Sequence, residues 1–185
     1  MEVNVTRRKM LLLTAGATIL GLAALVGFAD HNVIFANDDD DDEGQEALIK
    51  LMDAAKINLQ QGLTASEQDG QPISAKFEVE KGKLQLSVYT AKEEKFFEVL
   101  VDYAAGHVLK IEPITEGDDL AASNSQSAAM AKAKTTLKEA VDKAAAQSAK
   151  ARVLSAVPSL KDGRPVVSVV ILDGEQVKTT QQPMD

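Results

Sequence analysis

The sequence predicts an α+β fold: two helix-on-antiparallel-sheet units in tandem. Three observations predict it. Apolar and polar residues alternate with period two through Phe77–Val79, Leu84–Val88 and Phe97–Val101, with short turns between them. A stripe with helical spacing precedes them: Leu48, Leu51, Met52, Ala55 and Leu59. The same order of helix, hairpin and strand returns near the C-terminus.

The amino terminus stands apart from this pattern. Arg7-Arg8-Lys9 precedes an apolar run, Leu11 to Phe28, as in an export signal. Thr6-Arg7-Arg8-Lys9-Met10-Leu11 resembles a twin-arginine signal. Small residues offer cleavage after Ala29 or Ala36, while an uncleaved run at 11–28 would anchor the chain in a membrane. Both readings place the rest of the chain outside the cytoplasm, periplasmic or secreted. Residues 1–36 are therefore set aside as export signal or anchor. Residues 37–44 follow as an acidic spacer, because the six consecutive carboxylates Asp38 to Glu43 repel one another and favour an extended, solvated chain.

Residues 45–114 form the first unit. A helix over Glu46–Gln61 is stopped at Gly62, and Thr64 to Pro72 reads as loop. Strands follow around Phe77–Val79, Leu84–Val88 and Phe97–Val101, with turns at Lys81-Gly82 and Ala91–Glu94. A fourth strand, Val108 to Ile114, follows the turn closed by Gly106. The apolar faces coincide, so one side of the sheet meets the helix and the other meets water.

The segment Val101-Asp102-Tyr103-Ala104-Ala105-Gly106-His107-Val108, preceded by helix and hairpin, resembles the PepSY domain family over residues 45–114. The resemblance implies an extracytoplasmic, non-catalytic module of the kind found in propeptides of secreted metallopeptidases and in stand-alone exported proteins. It implies a secreted peptidase or another envelope protein as partner, and it brings no catalytic residues and no cofactor.

Residues 115–128 are polar and read as a linker. Residues 129–185 form the second unit: a helix over Met130–Ala151, then strands at Val153–Val157, Val166–Leu172 and Gln176–Gln181. Pro158 ends the first of these strands; Lys161–Arg164 and Asp173-Gly174 make the turns. Met52-Asp53-Ala54-Ala55 aligns with Val141-Asp142-Lys143-Ala144, and Lys81-Gly82-Lys83 with Asp162-Gly163-Arg164, which suggests an internal repeat with a degenerate second copy. Val166 to Leu172 is apolar on both faces, so this strand is expected to be covered on both.

Composition narrows the function classes. The formal net charge is -8 among 185 residues, which disfavours a general nucleic-acid binder needing a basic surface. There is no Cys, hence no disulfide, thiolate metal site or cysteine nucleophile. His107 has too few companions for a zinc site, and His31 sits beside the export signal. Glu93-Glu94 reads as a solvated turn. No nucleophile–base pattern and no phosphate loop stands out, so no enzyme, cofactor or metal site is expected. Tyr89, Phe96, Leu100 and Tyr103 fall on the sheet face away from the first helix. They form either an interaction face for a partner or a contact with the second unit, and the second reading is preferred. The expected role is a binding or regulatory module of the envelope. The alternative is a cation-binding envelope protein, with calcium as the cation, that uses the acidic run and the sheet edge.

Overall fold

The structure, a computed structural model, describes the backbone from Asp39 and the side chains from Gly44, both to Asp185. The expected export segment, its apolar run at 11–28 and His31 lie outside the described residues. Seven strands form one antiparallel sheet in the order β4-β3-β2-β1-β5-β6-β7. They are β1 (Gln71–Glu80), β2 (Lys83–Lys92), β3 (Lys95–Val101), β4 (Val108–Ile114), β5 (Ala151–Lys161), β6 (Arg164–Asp173) and β7 (Gln176–Pro183). The helices are α1 (Asp39–Leu51), α2 (Leu59–Ser66), α3 (Gly117–Met130) and α4 (Leu137–Ala145). Among the described residues no helix is long and apolar enough to cross a membrane.

Register explains which face is buried. Ala75 pairs with Val88 and Phe77 with Leu86 across β1 and β2; Leu86 then pairs with Val101 and Val88 with Val99 across β3. Every one of these side chains is buried. Helix α2 lies on this face with Leu59 and Leu63 beneath it, each worth roughly 1.5–3 kcal/mol of burial. Gly62 allows the close approach, since a Cβ there would stand 2.7 Å from Leu86 Cδ2. Helix α4 lies beside α2 and covers β5 and β6 with Leu137, Ala140, Val141 and Ala144.

The two halves carry matching features. Asn58 caps α2 and Thr136 caps α4, each in a reciprocal capping box with Gln61 and Glu139. The chain entering α2 donates from Lys56 and Ile57 N–H to Tyr103 O, just beyond β3. The chain entering α4 donates from Lys134 and Thr135 N–H to Met184 O, just beyond β7. The β1–β2 turn places Lys81 and Gly82 at φ 52° and 74°, and the β5–β6 turn places Asp162 and Gly163 at 51° and 76°. Two successive left-handed residues are what a tight hairpin with native twist requires. The expected alignment of these turns therefore has a structural counterpart. The expected helix alignment does not, because the caps put Leu63, rather than Met52, at the place of Val141.

Several boundaries differ from the sequence reading. The helix expected over Glu46–Gln61 is α1, a 3₁₀ turn at Met52–Ala54, and a separate α2. Asn58 starts the second helix because its side chain satisfies Gln61 N–H, while Ala55 is extended (ψ 121°). The expected loop Thr64–Pro72 contains the end of α2 and the start of β1. The acidic spacer is helical from Asp39, a position where the helix dipole favours negative charge. The expected linker over 115–128 is mostly helix α3, whose buried stripe of Ser123, Gln126, Ala129 and Met130 is too small and polar to show as an apolar period. The helix expected over Met130–Ala151 is confined to α4. Pro158 does not end β5, which continues to Lys161. β5 pairs with β1 only at Ala156 and Ser155, so beyond that point the missing N–H interrupts no β1 ladder.

β6 behaves as expected. Val167, Val169 and Ile171 face α4, and α3 packs against β6 from the other side. Helix α3 is placed on that second face by Ser74 Oγ, which donates to Gln126 Oε1 at 2.7 Å. The sheet is thus continuous through Ala75–Ala156, with α2 and α4 on one face and α3 across the other.

Candidate interaction face

The face of β1–β4 opposite α2 carries a cluster of polar side chains, from buried Ser87 to exposed Lys110. β1 contributes Lys76 and Glu78, β2 Gln85 and Ser87, β3 Glu98 and Leu100, and β4 Lys110 and Glu112, by simple alternation along paired strands. Lys76 Nζ lies 2.6 Å from Glu78 Oε2. Ser87, fully buried, has its Oγ 2.7 Å from Glu78 Oε1 and 2.9 Å from Glu98 Oε1. A hydroxyl has one proton, so it donates to one carboxylate at a time. Gln85 Nε2 donates to Ser87 Oγ at 2.9 Å and bridges towards both carboxylates. Lys110 and Glu112 pair at 2.8 Å on the edge strand.

Helix α3 closes one end of this face. Burial holds the Asp119 carboxyl above the usual carboxylate range, against the pull of Lys76 and with the push of Asp118 and Glu78. The arrangement is a charge-paired surface, its carboxylates matched by Lys76, Lys110, Gln85 and Ser87 of the same sheet. Among the described residues no group of three or more His, Asp or Glu is placed to hold a metal ion.

The aromatic and aliphatic candidates do not form one open patch. Tyr89 (5% exposed) and Phe96 (8%) are buried on this face, with Lys76 Nζ 5.8 Å from the Tyr89 ring centroid. Leu100 is half-buried on the same face, opposite Ser87. Tyr103 lies beyond β3, where its carbonyl receives the chain leading into α2. His107 is exposed, and its carbonyl accepts from Asp102 N–H. Glu93 and Glu94 are exposed in the β2–β3 turn at φ 51° and 63°.

The motif around Asp102 has a local physical reason. Asp102 Oδ1 accepts from Ala104 N–H at 2.7 Å and Ala105 N–H at 2.9 Å, and Asp102 O accepts from Gly106 N–H at 2.8 Å. The two backbone donors to its side chain hold the Asp102 carboxyl below its ordinary range. Gly106 sits at φ 77°, where a β-carbon would be strained. These residues build the loop from β3 to β4.

The sequence reading missed the exposed apolar residues of the edge strand, Leu109 (62% exposed) and Ile111 (43%). The alternation that predicted β4 could have marked them, had β4 been recognised as the last strand. Comparison with family models, with curated proteins and with solved structures gives no match.

Proposed function

We propose that this chain is an exported, non-enzymatic binding or regulatory module of the cell envelope, built of two PepSY-like units in tandem, the second degenerate. In this reading it modulates a secreted peptidase. The observation that carries the reading is the Asp102–Gly106 loop, in which the residues of the PepSY-like motif cap and close the turn between β3 and β4. The matching caps and the matching acceptors Tyr103 O and Met184 O support the tandem arrangement. The basic stretch and apolar run at the amino terminus support export.

Affinity capture from an envelope extract tests it, with residues 37–185 as bait and mass spectrometry as readout. Recovery of one secreted peptidase near stoichiometry, whose proteolytic rate changes when the purified chain is added, is the expected result. Capture that yields no peptidase at any salt concentration would remove the peptidase-modulating role.

A further inference from the structure

Among the described residues β4 is an edge strand, paired only with β3. An edge presents unpaired backbone groups, and proteins usually blunt it with charge or cover it. Here charge is present, but two large apolar side chains, Leu109 and Ile111, also stand exposed on it. Between and beside them are Lys110 and Glu112, both on the opposite face of the strand.

The order of these residues is self-complementary. If β4 meets a second β4 antiparallel with Ile111 opposite Ile111, then Lys110 lies opposite Glu112 of the second copy, and Glu112 opposite Lys110. Leu109 falls opposite Pro113. The two Ile111 side chains then share one face and the two ion pairs share the other, while Leu109 stands at the bulge where the β3 register shifts between Lys110 and Val108. Opposite charges across a strand pair stabilise it, and like charges would oppose it. The Lys110–Glu112 contact within one chain, at 2.8 Å, shows that the two side chains already lie close together on that face. Pro113 has no N–H, so it limits the new ladder to its centre. The far edge, β7, carries no large exposed apolar side chain, and it offers no such match.

We propose that β4 is a self-association edge, and that a second copy of this chain pairs with it antiparallel about Ile111 to give a two-fold dimer with a continuous sheet. Closed two-fold contacts use the same patch on both copies, as this one does. The contact is small, so the dimer should be weak and its population should fall on dilution. The inference stands on the sheet edge and needs nothing from the peptidase reading.

The absence of Cys in the sequence makes the test direct. In the full chain, held in mild detergent, Ile111→Cys should form an intermolecular disulfide several-fold faster than Leu160→Cys, which is also exposed but lies on β5. Directly opposed strand positions bring Cβ atoms to about 4.5–5.5 Å, close enough for oxidation to trap. Adding Glu112→Lys or Lys110→Glu to the Ile111→Cys chain should cut linkage several-fold, because each places like charges opposite one another. Mixing the two charge variants, or combining both reversals in one chain, should restore it. A variant that merely failed to fold would not recover on mixing. Equal linkage at positions 111 and 160, no linkage at 111, or linkage indifferent to every charge reversal would each overturn the proposal.

Discussion

Asp102 does at residue scale what a longer loop would otherwise need several contacts to do. Its carboxylate satisfies two backbone donors, and those donors hold its proton affinity down. A carboxyl depressed in the folded state adds stability above its unfolded value, and that stability is lost as pH falls through the lower folded value. Wild type should therefore exceed Asp102→Asn in stability by a constant amount from neutral pH to about pH 5. The excess should shrink as pH falls below the ordinary value of 3.8 and vanish under the folded one. Urea midpoints from pH 7 to pH 2.5 measure it; a difference that stays constant to the lowest pH would show that the charge has no part. The β2–β3 turn offers the opposite case. Glu93 and Glu94 occupy left-handed φ without a structural partner that demands glutamate, at about 1 kcal/mol or more for such a residue. Replacing the pair with Asn-Gly, the residues such turns favour, should stabilise the protein by about 1 kcal/mol in urea unfolding.

The elements were legible where period and burial coincide. β2, β3 and β6 follow the alternation closely, because each contributes an apolar face to a covered side of the sheet. α3 was not legible, because its buried stripe uses Ser123 and Gln126, and a polar residue reveals burial only when its partner, here Ser74, is known. The break between α1 and α2 was hidden because the apolar stripe runs through it; only the cap marks it. The edge character of β4 was hidden because strand order across the sheet is not a local property. The candidate face shows the same division: alternation put Tyr89 and Phe96 on the face away from α2, but it could not say that α3 packs on that face. The cap is testable. Asn58→Ala removes the oxygen that accepts from Gln61 N–H, and with it the start of α2 over the first-half core. A loss of about 1 kcal/mol is expected from thermal or urea unfolding. A loss near zero would mean that packing of Leu59 and Leu63 fixes the helix start without the cap.

At the scale of the whole molecule, the two halves should not unfold one after the other. Their shared strand pairing is short, Ala75 with Ala156 and Lys76 with Ser155, and a junction of two residue pairs is a weak hinge when taken alone. Two further connections strengthen it. α2 and α4 pack side by side on one face, and α3 spans the other, packing on β1 and β2 of the first half and β5 and β6 of the second. Arg152 at the start of β5 also donates to Ala55 O, ahead of α2. Losing either half would expose the faces of all three helices, so partial unfolding should cost nearly as much as complete unfolding. The tyrosines allow the comparison, since both lie in the first half and there is no Trp. Tyrosine fluorescence follows residues 89 and 103, whereas far-ultraviolet circular dichroism follows every strand and helix. The two urea transitions should coincide in midpoint and slope. A tyrosine transition well separated from the dichroism transition would instead show that α3 joins the halves without coupling them, and that each half is stable as a separate unit.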